Sequence, residues 1–402
     1  MLFKQFSVYL FGYFQILTYI CRALVYKPMH QLGHSKVSFA KPLFNNHLYF
    51  PDLGIILNSK SMIKFKWYAL TLLLLQVIAT GCSSSIPEKS QTRETHIIGD
   101  AWNRVVEIPI DDSLEIVSFI PQIVGQYLVV IDHQTRDKFL HIFNKDSFDY
   151  ITSLWAKGHG HNEVFKIDSQ VIPIGDKNEF YIMADNLKFF KINIDSVLRD
   201  KDYQPERLFD WGDKAQKIFP NDCTLIDDST AIVSVIEPTG NSGFDQSVGK
   251  FHLKSGKIDK FDYVHPLASH RRSTVTASAA QRVCFEFYRN RDLLTMYDFD
   301  GKVLCNITGP QWTGKDDSNE LSYFSEAVVA QNHVIVSYSG EDYMTSMTNK
   351  FLVYDTQGNY VKTLDLNGHS IQRICYDPSN NRLIFASDDY TLAYLPLDEY
   401  LR

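Results

Sequence analysis

The sequence predicts an all-β fold, a six-bladed β-propeller built from four-stranded antiparallel blades. The first observation is a period. Apolar runs begin at Tyr127 (YLVVID), Glu179 (EFYIMAD), Thr230 (TAIVSVI), Arg282 (RVCFEFY), His333 (HVIVSYS) and Arg382 (RLIFASD), at offsets of 52, 51, 52, 51 and 49 residues. A fixed period near this length marks a repeat architecture. The second observation is that each run sits among further short apolar or alternating stretches that end in Asp, Ser or Gly, giving four strands per unit. The third is that long amphipathic helical patterns are missing, and a sandwich would not show six equal units.

The units are read strand by strand. A first strand precedes each run, as in LEIVSFI, QVIPIG, CTLIDD, STVTASA, EAVVAQ and RICYD. Another follows it, as in LHIFNKDS, FFKINIDS, GKFHLKSG, LLTMYDFDG, FLVYDTQG and LAYLPLDE. A fourth comes next in several units, as in YITSLWA, KVLCNITG and YVKTLDL. The last unit lacks it. The stretch NRVVEIPI, from Asn103 to Ile110, is expected to supply that outer strand and close the ring. Closure hides edges that would otherwise pair with neighbouring molecules.

Upstream of the propeller, expected over 101–402, the chain divides into three. Lys64 and Lys66 precede the apolar run Trp67–Ile78, which leads to the small residues Ala79, Thr80 and Gly81 and then Cys82. A basic start, a short apolar core and a small-residue site are the parts of a secretory signal. The apolar run is too short to span a bilayer, which takes about 20 residues. Residues 62–81 therefore read as a signal peptide beginning at Met62. Residues 1–61 read as a spurious extension upstream of the true start. Residues 82–100, with SSSIPEKSQTRETH, read as a flexible polar tether.

Charge bounds the partners. The chain carries 40 Lys/Arg and 47 Asp/Glu. Eight of the former and one of the latter lie in residues 1–81, so the rest stands at net −14. Phosphate contacts need a basic surface, so no nucleic-acid partner is expected. Cys223, Cys284, Cys305 and Cys375 have no CxxC or zinc spacing and read as small buried side chains. A disulfide among them is an alternative the sequence leaves open.

Cys82 after small residues resembles the lipobox of bacterial lipoproteins, with Ala79 where the usual pattern has Leu. The whole resembles the TolB-like and NHL-like six-bladed propellers, and most of all the TolB-like propeller lipoproteins of Bacteroidota. Those carry a lipobox, a short tether and a Gly-x-Gly-Pro-x-Glu turn after the first blade. Here GHGHNEV keeps Gly158, Gly160 and Glu163 and has His161 in place of proline. The resemblance implies lipidation at Cys82 and a monomer anchored in the outer membrane of the cell envelope. Glu88 is the only acidic residue close to Cys82, which favours the periplasmic side.

Propellers bind through the loops of one face and the mouth of the central channel. Those loops hold His159, His161, His270, Arg271, Arg272, Arg289, Arg291, Trp312 and His369. A rim of His, Arg and Trp suits an anionic or glycan-like ligand or a protein hot spot. The function expected is thus a binding or scaffold module for an envelope protein or glycan, with no catalytic residues, metal or cofactor. Asp132, Asp185 and Asp298, at strand ends, are expected to accept turn hydrogen bonds. Serine-hydrolase, zincin and P-loop motifs are missing. The alternative is a calcium-dependent hydrolase of lactonase type, or a lyase. Its ion would need acidic side chains converging on the channel, and Asp222, Asp227 and Glu326 lie near the ends of inner strands.

Overall fold

The computed structural model describes residues 41–43, 47–50, 55–57 and 86–401, except 161–162, 212–217, 241–242, 269–270, 316–320, 343, 345–347 and 388–390. The chain divides into two compact units, 1–84 and 85–402. In the first, Lys41–Leu43, His47–Phe50 and Ile55–Leu57 form a three-stranded antiparallel sheet. The proposed signal peptide, 62–81, and Cys82 lie outside the described residues. Among the described residues, no helix is long and apolar enough to cross a membrane.

The second unit is a six-bladed propeller. Blade 1 runs inside to outside through Ile120–Val124, Tyr127–Ile131, Lys138–Asn144 and Tyr150–Lys157. Blade 2 has Ile172–Pro173, Glu179–Ala184, Lys188–Asn193 and Glu206–Asp210. Blade 3 has Phe219–Asp227, Thr230–Gly240, Gly243–His252 and Lys257–Lys260. Blade 4 has Ser273–Ser278, Val283–Tyr288, Leu293–Asp298 and Val303–Thr308. Blade 5 has Leu321–Ala330, His333–Asp342, Lys350–Asp355 and Tyr360–Asp365. Blade 6 has Ile371–Asp377, Arg382–Ser387 and Leu392–Pro396, completed by Val106–Ile108 from the N-terminal side. The expected closing strand is in place.

The periodic runs are the second strands, and their legibility has a cause. A strand in the middle of a blade is covered on both faces by neighbouring blades, so it reads as a continuous apolar run. Tyr127–Ile131, Val283–Tyr288 and Arg382–Ser387 are buried at every residue. Hydrophobic clusters fill each space between successive blades. Val129 and Ile131 pack with Phe180 and Ile182, while Leu128 and Val130 pack with Ile384 and Ala386 to close the circle. Polar turns add bonds between blades. The Asn178 side chain accepts from Gln126 N–H at 3.0 Å, and Gln331 donates to Asn381 at 3.0 Å.

Residues 86–100, expected as a flexible tether, are laid along the ring. Glu88–Ser90 pair in parallel with the outer strand of blade 4, and Ile97–Ile98 with that of blade 5. Between them Arg93 turns inward. Its Nη1 donates to Asp292 Oδ1 at 2.6 Å, and its guanidinium lies 5.4 Å from the ring centroids of both Phe324 and Tyr338. The polar composition that suggested a tether belongs to a strap with one paired edge and one solvent edge.

Cys223, Cys284, Cys305 and Cys375 are free thiols. Asp132 accepts from Val117, Ser118 and Gln134, Asp185 from Phe165, and Asp298 from Asp300 and Lys302, as strand-end aspartates should.

Candidate functional site at the channel mouth

The inner strands of the six blades enclose a channel cavity of about 860 Å³. One end, the mouth, collects the loops between blades and the turns between second and third strands. Here the inner strands place Asp222 of blade 3, Thr274 of blade 4 and Glu326 of blade 5 on the wall. Arg373 comes from the inner strand of blade 6 and pairs with the Glu326 carboxylate. Arg289, in the turn after the second strand of blade 4, donates to the Ser325 carbonyl at 3.3 Å. His133 occupies the corresponding turn of blade 1.

These groups feel one another. Asp222 faces the channel but is enclosed by protein. Burial first, and then the Glu326 carboxylate, push its pKa up to about 6 against the pull of Arg289, Arg373 and Thr274. Its carboxylate accepts from Asn221 at 3.2 Å and from Thr274 Oγ1 at 3.4 Å. Partial desolvation by the surrounding chain lowers the pKa of the exposed His133, and Arg373 lowers it further, against Asp132 and Asp168. A ligand entering the mouth thus meets a carboxyl whose pKa is raised to about 6, the Glu326–Arg373 pair, the Arg289 guanidinium and an imidazole.

Among the described residues, no group of three or more His, Cys, Asp or Glu is close enough to share a metal ion. The mouth itself is a poor fit to calcium. That ion takes six to eight oxygen ligands, whereas here Glu326 is already bound to Arg373 and Arg289 stands nearby. Asp227, at the far end of its strand, is held by Ser229 in a turn.

The rim expected from the sequence is distributed differently. Arg271 is buried, with Nε donating to the Gln246 carbonyl at 2.6 Å and Nη1 paired with Glu286 at 3.4 Å. Its backbone lies two residues before the inner strand of blade 4, and its side chain turns into the blade to meet these acceptors. Arg291 is also buried and donates to the Leu267 carbonyl. Arg272 lies over the Phe244 ring at 3.7 Å. Trp312 packs on Ala268, Tyr288 and Leu293, with its ring edge-on to His265 at 5.5 Å. His369 stacks on Trp102 at 4.0 Å beside blade 6. His159 is exposed and stacks on Phe165 at 5.0 Å. His161 and His270 lie outside the described residues. Of the expected rim, Arg289 joins the charged mouth.

In the turn holding His159, the end of the exposed Glu163 side chain lies over Gly158. A Cβ on Gly158 would stand 1.9 Å from Glu163 Oε2, the atom that accepts the Gly160 N–H at 2.7 Å. His133, Asp222, Glu326 and Arg373 are what the rim reading left out. For Asp222, Glu326 and Arg373 the signal was a charge on a strand that lines the channel; His133 lies in a turn after a second strand and had no such signal.

No protein-family model and no curated protein matches the chain. Solved structures do. A member of the DUF4221 family from Bacteroides vulgatus is 10% identical, covers 76% of this chain and 98% of its own, and superposes with a TM-score of 0.51. The calcium-binding protein regucalcin from Agrobacterium tumefaciens is 14% identical, covers 77% and 95%, and gives a TM-score of 0.46. At such identities the likeness is one of fold: the chain is a six-bladed β-propeller.

Proposed function

We propose that the chain is a cell-envelope lipoprotein whose propeller binds a protein or glycan partner at the channel mouth. It is processed before Cys82 and held by lipid at the periplasmic side of the outer membrane. The observation that supports binding is the set of charges at the mouth: Asp222 and Glu326 line the channel cavity, Arg373 pairs with Glu326, and Arg289 lies close enough to pull on the Asp222 carboxyl. Charges of both signs in an open concavity suit a hydroxyl-rich or mixed-charge ligand, which can pair with each in turn. The net charge of residues 82–402 argues against a nucleic acid.

The test is binding of oligosaccharide and envelope-protein fragments to the lipidated protein, beside an Arg289→Ala/Arg373→Ala variant. The reading expects a retained ligand and a loss of about tenfold or more in the variant, with an unchanged unfolding temperature. Equal binding by both proteins would move the site elsewhere. Turnover of a lactone that stops on chelation would favour a calcium-dependent hydrolase instead.

A further inference from the structure

The strap fixes where an anchor can leave the propeller. In each antiparallel blade the outer strand runs towards the mouth face, because its end leads into the next inner strand. In blade 4 that strand is Val303–Thr308. The strap pairs with it in parallel, Glu88 opposite Asn306 and Ser90 opposite Thr308. Followed backwards, the strap therefore heads away from the mouth face. Pro87 continues this course, its carbonyl accepting Asn306 N–H at 2.9 Å. It points towards the turn between the third and outer strands, where Asp300 is exposed.

The strap is also pinned. Gln91 N–H bonds the Thr308 carbonyl at 2.9 Å, and its side chain donates to Gly358 at 2.7 Å. Arg93 is sealed under blade 5 by Asp292, Phe324, Tyr338 and Tyr354. Tyr360 donates to the Thr95 carbonyl at 2.9 Å. Only three residues, Ser83 to Ser85, separate Ile86 from Cys82, and those four steps along the chain reach about 14 Å at most.

We infer that a lipid surface lies against the outer edge of blade 4 on its Asp300 side, so that the charged channel mouth is turned away from the membrane. The inference rests on the reading of Cys82 as the lipidated residue. A long tether would let the propeller tumble. A strap bound along blades 4 and 5, with so short a reach before it, does not. The mouth is then open to the periplasmic space.

The experiment uses lipidated protein in vesicles that contain nitroxide-labelled lipid. An Asp300→Cys variant and a Gln134→Cys variant each carry a bimane fluorophore. Labelled parent protein corrects for reaction at native thiols. Asp300 lies at the proposed membrane edge. Gln134 lies on the mouth face of blade 1, across the ring from blade 4. The expected result is several-fold stronger quenching at position 300. Equal or reversed quenching overturns the orientation. Mass spectrometry of the N-terminal peptide from the same sample separates the two claims: an unmodified Cys82 overturns the lipoprotein reading and the orientation with it. A further variant with about twelve Gly and Ser residues inserted after Ser85 frees the strap from the anchor. Its quenching contrast should vanish, and persistence of the contrast would overturn the role given to the strap.

Discussion

Two Arg–Glu pairs in this molecule share a chemistry and differ in everything else. Arg271 and Glu286 sit inside blade 4, with side chains 4% and 0% exposed. Glu286 also accepts from Ser273 at 2.9 Å, Tyr288 at 3.1 Å and Tyr297 at 2.6 Å. Burial and Glu286 push the pKa values of both tyrosines up, which keeps their hydroxyls as donors. Arg373 and Glu326 sit at the channel mouth, with side chains 40% and 12% exposed. The first pair is enclosed and saturated, so nothing else can bind to it. The second keeps donor and acceptor capacity facing a cavity. What separates a structural charge from a candidate binding charge here is spare hydrogen-bonding capacity in reach of solvent.

That comparison breaks most sharply at Glu286. A Glu286→Ala change leaves the Arg271 guanidinium buried without its counter-charge and strips two tyrosines of their acceptor. Removing one partner of a buried pair costs about 3–5 kcal/mol. The urea midpoint should fall accordingly, while Glu326→Ala, at a half-open pair, should cost about 1 kcal/mol or less. Similar losses at both positions would erase the distinction between the pairs.

Arg93 offers a second and somewhat smaller break. Its partner Asp292 is fully buried, but that carboxylate also accepts from Gln311 N–H at 3.1 Å. Arg93→Ala should therefore cost about 2–4 kcal/mol and expose residues 86–98 to limited proteolysis ahead of the blades. A strap that resists protease as well as the parent would show that its pairing to blades 4 and 5 suffices.

How far these pairs could be read from the sequence follows from their surroundings. The blades were legible because buried second strands are apolar at every position, so the period stood out. The closing strand was legible by subtraction, since blade 6 was one short. The strap was not, because Glu88–Ser90 is short and polar and Ile97–Ile98 is only two residues long, so neither differs from a linker. Arg271 and Arg272 are adjacent and identical in type, yet one enters the core and the other covers Phe244. Only the acceptors contributed by Gln246, Tyr263 and Glu286 decide between them, and these lie up to 25 residues away. The mouth has the same character: Asp222, Glu326 and Arg373 come from three different blades, and no local motif links them.

The finest test of the comparison is pH. Asp222 has its pKa raised to about 6 from 3.8 in the fold. Below about pH 4 it is protonated whether the chain is folded or not, and its contribution is fully present. Between about 4 and 6 the folded chain holds the proton more tightly, so stability falls as pH rises through this window; above it the contribution is gone. The paired carboxylates Asp146, Glu179, Asp259 and Asp377 have lowered pKa values and act in the opposite sense. The readout must therefore be the difference between parent and variant. Asp222→Asn should gain on the parent by about 1–2 kcal/mol between pH 4 and pH 7, less than the full linkage value because the channel admits solvent. Glu326→Gln should shrink the effect, since it removes a neighbouring negative charge and frees Arg373 to face Asp222. Parallel urea midpoints for parent and Asp222→Asn across that range would mean that the mouth carboxyl titrates like any exposed aspartate. The mouth would then lack the raised carboxyl pKa that distinguishes it from the sealed pair in blade 4.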